Sequence, residues 1–410
     1  MTQSARSVAA FWIAVALLLF SVGSSALPSP LFPIYAAQWD LTPLMLTGAF
    51  AIYVGGMLLT LLTAGSLSDY VGRKPVLLAG TVSLVISLVL LTIADGLVVL
   101  LIGRMLQGLA VGLLLGSLGA TILDHSLVRR PALAGVLNGV IPPTALAVGA
   151  LSSGVLVEWA PAPEALIYIV FAVALAFIAI LLTVVPETVA KQPGVIRSLA
   201  PQLRVPPSSR RLFRTVAGAL IASWALPGLY LSLVPSVLSS VFDVTNHFSS
   251  GALIALFAGC GAVTGYVLQR IDPRRQLLTG LIALAVGPVV TVSFVVAGNL
   301  AGVVLGTAIA GVGFGAGFQA ALRMLLVTAA PMHRAGLLST IYVVSYLAFG
   351  LPSVIAGLVE PFTGLVPAIV GYGLFVVLAG SAALLLQAFE GDHVEEEAAE
   401  LVEESEALAR

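Results

Sequence analysis

The chain has 410 residues, 59% of them hydrophobic and only 9% charged, with a net charge of −1. A soluble globular domain is roughly 25% charged, so this composition excludes that class. The mean hydropathy is +1.10; no long basic face offers itself to nucleic acid, and the single cysteine, Cys260, excludes an intrachain disulfide.

In chain order, apolar runs of about 20 residues or more recur, the length that crosses roughly 30 Å of hydrocarbon. Twelve transmembrane helices are predicted, over residues 9–35, 44–66, 75–94, 97–122, 132–157, 164–185, 212–239, 249–269, 276–297, 300–326, 336–359 and 365–389. A transmembrane β-barrel would instead show short segments of alternating polarity. The first run follows Arg6 as the core of a signal peptide would, but it stays apolar to about Tyr35 and reads as a retained helix. The fold class expected is an all-α polytopic membrane protein.

The charges segregate. Arg104 and Arg323 lie inside spans; every other Lys or Arg sits at a terminus, in the joint after span 2, 4, 6, 8 or 10, or at the edge of a neighbouring span. The odd-numbered joints hold Asp40, Asp95, Glu158, Glu164, Asp243 and Glu360 and no Lys or Arg. The positive-inside rule then places both termini in the cytoplasm, of an inner or plasma membrane. The longest joint, polar and Pro-rich, falls mid-chain. The expected organisation is a six-helix half (1–188), a linker (189–211), a second six-helix half (212–390) and an acidic tail (391–410). From residue 390 the chain carries nine acidic groups and one Arg, a solvated run that cannot enter the bilayer.

The two halves echo each other. "GSLSDYVGRKP" (65–75) follows span 2 and "GYVLQRIDPRR" (265–275) follows span 8, so that Gly65 aligns with Gly265 and Lys74 with Arg274. "GRMLQGLAVG" (103–112) aligns with "GTAIAGVGFG" (306–315), and "LAGVLN" (133–138) with "RAGLLS" (334–339). Three echoes in one order predict a duplicated six-helix unit, and two parallel six-helix repeats around a midplane site form a transporter architecture.

On these residues the chain resembles the major facilitator superfamily. "GSLSDYVGRKPVL" is similar to that family's loop signature after helix 2 at Gly65, Asp69, Gly72, Arg73 and Lys74. "LIGRMLQGLAVG" is similar to its helix 4 signature at Arg104, Gln107 and Gly108, and "VPET" (185–188) recurs at the end of helix 6 in such proteins. "GVLNGVIPPTALAVGALSSG" (135–154), with its adjacent Pro142 and Pro143, resembles the Gly- and Pro-rich helix 5 of the drug/proton antiporters. The resemblance implies a loop that latches the halves together on the cytoplasmic side. In that latch, Asp69 would sit at a helix N-terminus of the other half, where an anion is favoured, and Arg73 would reach Asp124.

Candidate site residues follow from cost and position. A charge at the depth of Arg104 costs at least about 2.5–3.5 kcal/mol, so it is expected to bind substrate or take part in coupling, or else to tie span 4 to span 1. The resemblance places spans 1, 4, 7 and 10 around the cavity. Tyr35, Gln107, Asn138, Trp224, Tyr230, Gln319, Tyr342 and Tyr346 are the polar and aromatic groups expected to form an amphiphilic pocket. No Asp or Glu lies deep in any span, so a proton would be carried at a span edge, with Asp40, Asp124 and His247 the groups available. Prolines 28, 30 and 33 in span 1 and 227 and 235 in span 7 mark bending elements in repeat-related positions.

There is no GxxxxGK[ST] loop, metal-ligand cluster or nucleophile–base pair, so neither an ATP-driven pump nor an enzyme is expected, and no cofactor. The expectation is a monomeric secondary transporter working by alternating access, exporting small amphiphilic compounds or drugs against protons. The alternative is a uniporter or symporter of a small metabolite, a sugar or an organic acid, with an anion held by Arg104.

Overall fold

A computed structural model describes residues 5–195, 199, 203–329 and 334–408, with side chains described to Ala388. Arg197 in the linker and Arg410 lie outside the described residues, as do the side chains of the acidic tail. Twelve long helices dominate: α1 (Ala5–Ser24), α2 (Pro43–Ala64), α3 (Arg73–Thr92), α4 (Leu97–Asp124), α5 (Ala132–Trp159), α6 (Pro163–Leu182), α7 (Arg210–Ser232), α8 (His247–Leu268), α9 (Pro273–Val296), α10 (Leu300–Thr328), α11 (Arg334–Thr363) and α12 (Leu365–Leu408). All twelve belong to segments long and apolar enough to cross a membrane. Helix is the form such segments must take, because hydrocarbon offers no partner for a free N–H or C=O.

Two of the helices are broken where prolines stand. After α1 the chain turns through a short 3-10 segment, Ser29–Leu31, and restarts as Phe32–Gln38, with Pro28, Pro30 and Pro33 at the joints. After α7 it restarts as Val234–Val241 with Pro235 in the first turn, whereas Pro227 stays within α7. A proline is tolerated in a helix's first turn, where its missing N–H has no partner to lose.

The first six helices pack in one pattern and the second six repeat it. In the first, α1 touches α4, α5 and α6, while α2 packs on α4, and α3 on α4 and α6. In the second, α7 touches α10, α11 and α12, while α8 packs on α10, and α9 on α10 and α12. The architecture is therefore two six-helix repeats. They meet along two seams, α5 against α8 and α2 against α11.

The end of the bundle bearing the acidic joints is shut. There Gly154 of α5 lies against Gly251 of α8, close enough that a Cβ on Gly154 would stand 3.1 Å from the Cα of Gly251. Trp159 and Phe248 tilt together with ring centres 5.2 Å apart. The main-chain N–H of His247 donates to Glu158 Oε2 at 2.9 Å, and Nδ1 of the same ring lies 3.3 Å from that oxygen. On the other seam Thr47 of α2 abuts Gly357 of α11, and Phe50 meets Phe349 edge-on at 4.9 Å.

Candidate functional site

Between the halves lies a cavity of about 600 Å³. Its walls show which end it opens toward. From α2 it takes Tyr53 through Leu62 and, past the helix end, Gly65, Ser66 and Asp69; from α4 Val111 through Leu123; from α10 Phe314 through Leu322; from α11 Leu338 through Phe349. Each stretch is the part of its helix nearest the basic joints. The cavity thus runs from mid-bundle to the basic end, and the acidic end is the closed one.

The wall is mostly apolar. The first half contributes aliphatic groups such as Leu18, Val22, Leu61 and Leu115, and one ring, Tyr53; the second contributes an aromatic cluster centred on Trp224. Around that indole stand Tyr346 (ring centres 4.7 Å apart), Phe318 (5.2 Å), Phe349 (5.9 Å) and Phe314 (6.3 Å), all near edge-on. Tyr342 stacks over Tyr346. Asn138 and Gln319 supply amides. Among the lining residues no Lys or Arg occurs, and the one carboxylate is Asp69, at the mouth.

The structure thus brings Asn138, Trp224, Gln319, Tyr342 and Tyr346 into one cavity with Gly65 and Asp69 at its rim. It places the other candidates elsewhere. Tyr35 stacks flat on Trp39 and shares a hydrogen bond with the hydroxyl of Tyr168 at the closed end. Asp40 is exposed in the turn before α2, with φ +49. Tyr230 is buried, donating to Thr307 Oγ1 at 3.0 Å and stacked on Phe257.

Arg104 and Gln107 stand one layer behind the cavity wall. Arg104 is 1% exposed, with its guanidinium 4.4 Å from the ring centre of Tyr53. It donates to the carbonyls of Ala49 (3.2 Å) and Ser25 (3.4 Å) and to Gln107 Oε1. Gln107 Nε2 in turn donates to the carbonyl of Ser24 at 2.9 Å. These acceptors have a local cause. Pro28 has no N–H to give the Ser24 carbonyl four residues back, and the N–H of Ser29 turns to Ala26 instead of Ser25. The break in α1 thus leaves the Ser25 carbonyl to Arg104, while the Ser24 carbonyl accepts both from the main-chain N–H of Leu27 (3.3 Å) and from Gln107. No carboxylate is needed to hold the cation.

The loop after α2 is a compact charge cluster. Arg73 binds Asp69, donates to Ser68 Oγ at 2.7 Å, and reaches Asp124 Oδ2 through Nε at 3.3 Å. The carboxylate of Glu187 caps α3, accepting from the main-chain N–H of Arg73 (2.8 Å) and Lys74 (3.0 Å). Lys74 Nζ binds the Thr183 carbonyl, and Thr188 Oγ1 donates to Asp124 at 2.9 Å. Gly72 is held at φ +107, and a Cβ there would fall 2.6 Å from the Glu187 carboxylate. The second half performs the same capping differently. Asp272, at the position aligned with Gly72, accepts from the N–H of Arg274 (3.0 Å) and Arg275 (3.1 Å). Sequence reasoning noticed the "VPET" segment but not that Glu187 is a cap; the missed signal is the missing N-cap side chain at Gly72.

The tandem prolines of α5 strip two further carbonyls of the donor four residues on. Pro142 and Pro143 cannot donate to Asn138 and Gly139, four residues back. The Gly139 carbonyl is taken from across the cavity by Gln319 Nε2, at 3.1 Å. Asn138 Nδ2 donates to the Gly119 carbonyl at 3.1 Å, and its Oδ1 is left without a hydrogen-bond partner. Tyr53, Phe314, Phe318 and Phe349 complete the wall unforeseen; each sits in a helix apolar on every side, where sequence does not mark the inward face.

Comparison with known proteins agrees with this architecture. The chain is 28% identical over 302 residues to the multidrug resistance protein MdtL of Citrobacter koseri, covering 71% of this chain and 75% of that one. It is 29% identical over 304 residues to MdtL of Shigella flexneri serotype 5b, covering 71% and 74%. Among solved structures it resembles a bacterial homologue of the human lysosomal transporter Spinster, in an inward-facing and unoccupied conformation, with a TM-score of 0.72 at 13% identity over 94% of this chain and 98% of that one. A family model of the Major Facilitator Superfamily matches residues 13–357, and the chain belongs to that superfamily of membrane transporters.

Proposed function

We propose that this transporter exports small amphiphilic compounds, in exchange for protons, by alternating access. The observation that carries the reading is the cavity: about 600 Å³, open at one end, aliphatic on one wall and aromatic on the other, with two amides and no buried carboxylate. Such a surface selects for apolar bulk and tolerates varied shapes. The MdtL relatives, named for multidrug resistance, support it. An anionic metabolite finds no Lys or Arg on the cavity wall, and Arg104 is already engaged by carbonyls. The basic end belongs on the cytoplasmic side by the positive-inside rule, which makes this the inward-facing state. Asp69, paired only with Arg73 within its own loop, is then the half of the latch that docks when the cytoplasmic end closes.

The test is the purified chain in liposomes with an imposed pH gradient and a panel of cationic, neutral and anionic lipophiles. Movement of cationic or neutral compounds, with opposing proton flux reported by an entrapped pH dye, is expected. Flux of an anion without proton movement would overturn the reading.

A further inference from the structure

Two features face each other across the cavity: released acceptors on α5 and a ring cluster on α7, α10 and α11. The first exists because of Pro142 and Pro143. Where an ordinary helix would consume the carbonyls of Asn138 and Gly139 internally, here they lack their helical donors, and both residues line the cavity. Asn138 Oδ1, also an acceptor, has no partner. Gln319 occupies the Gly139 carbonyl at 3.1 Å. Its chain neighbour Phe318 packs on Trp224 at 5.2 Å, so the acceptors and the rings lie at one level of the bundle.

We infer that this is a composite subsite for an aromatic or lipophilic ammonium ion bearing at least one N–H, which donates to the acceptors of α5 in place of Gln319 while its apolar body rests among the rings around Trp224. The inference rests on the exporter reading and narrows its substrate class. The chemistry follows from what the cavity holds. With no carboxylate at depth, a cation is stabilised by ring faces and by carbonyl oxygens, and a hydrogen bond to a charged donor is stronger than the neutral amide bond it replaces. Gln319 is the internal stand-in: an N–H donor from the second half, seated on an acceptor of the first. A ligand that displaces it exchanges a direct tie between the halves for one through itself. Substrate arrival therefore alters the contact between the moving bodies, as differential binding to two states requires.

The experiment measures equilibrium binding to the full-length chain in detergent by titration calorimetry, with a matched pair of probes: 4-phenylbenzyl(methyl)ammonium, which has N–H donors, and 4-phenylbenzyl(trimethyl)ammonium, which has none. The quantity read is the ratio of the two affinities, so that general hydrophobic binding cancels. Pro143→Ala returns an N–H to the Gly139 carbonyl and is expected to lower the ratio about tenfold. Gln319→Leu removes the competitor and is expected to raise it several-fold. Trp224→Leu is expected to weaken both probes by about fivefold and leave the ratio unchanged. A ratio that neither Pro143→Ala nor Gln319→Leu moves overturns the inference, and Gln319→Leu alone decides the matter if the α5 variant does not fold. Binding of neither ammonium, with neutral lipophiles still exported, also overturns it and leaves the exporter reading standing. Absence of flux for every compound, with the ratio shifting as expected, would overturn the exporter reading alone.

Discussion

At the scale of single residues, Gly72 is under two independent constraints. Its φ of +107 is a conformation that side chains rarely adopt, and the space a Cβ would enter is filled by the Glu187 carboxylate. Gly72→Ala is expected to destabilise the protein by about 1–3 kcal/mol, the range for a strained backbone position. The midpoint of thermal unfolding in detergent reads this, and a wild-type midpoint would refute it. The importance of Gly72 was legible from the loop signature; its reason was not, because the partner carboxylate lies 115 residues further along the chain. Arg104 shows the same limit. Its depth was plain from its position in the span, but its acceptors depend on a helix break three-dimensionally adjacent and remote in sequence.

At the scale of elements, the start of α3 and the start of α9 perform one task with different means. Asp272 caps α9 from its own chain, whereas Glu187 caps α3 from the far end of the same repeat and ties it to the end of α6. Glu187→Ala is therefore expected to raise amide exchange in the first turn of α3 and to loosen the stretch 183–189 with it. Asp272→Ala is expected to act on the first turn of α9 alone, at a cost of about 1 kcal/mol, ordinary for an N-cap. Equal and purely local effects would show that Glu187 is only a cap. The number of spans was legible and most of their edges to within a few residues, since twelve apolar runs separated by charge leave little choice; the break after Ser24 and the run of α12 on to Leu408 were not. What was hidden was rotation. Lipid and protein interior are equally apolar, so a spanning helix carries no stripe to say which face is buried. Hence Trp224 and Tyr346 face the cavity while Tyr230, six residues on from Trp224 in α7 and so on another face, bonds to Thr307 instead.

At the scale of the whole molecule, the two repeats are shut at the acidic end and parted at the basic end. The α5–α8 seam closes through Glu158 and His247. Cysteines introduced as Glu158→Cys and His247→Cys, in a Cys260→Ser background, are expected to trap this state on oxidation: transport stops, access to the cavity from the basic side persists, and reductant restores flux. Undiminished transport with the crosslink formed would show that the seam does not open during the cycle. The sequence pattern of charges and repeats foretold two halves; it carried no information on which end would be closed, because both conformations are built from the same helices.

Twice among the described residues a proline removes the donor four residues on from a carbonyl that a glutamine elsewhere binds: Pro28 with Gln107 through Ser24, whose carbonyl keeps a second bond from Leu27 N–H, and Pro143 with Gln319 through Gly139. In the second pair the glutamine's bond exists because the proline vacates the carbonyl. The two positions of that pair should therefore be inherited together. Relatives that have replaced the proline of α5 will be free to replace the glutamine of α10, and those that retain one without the other will be rare.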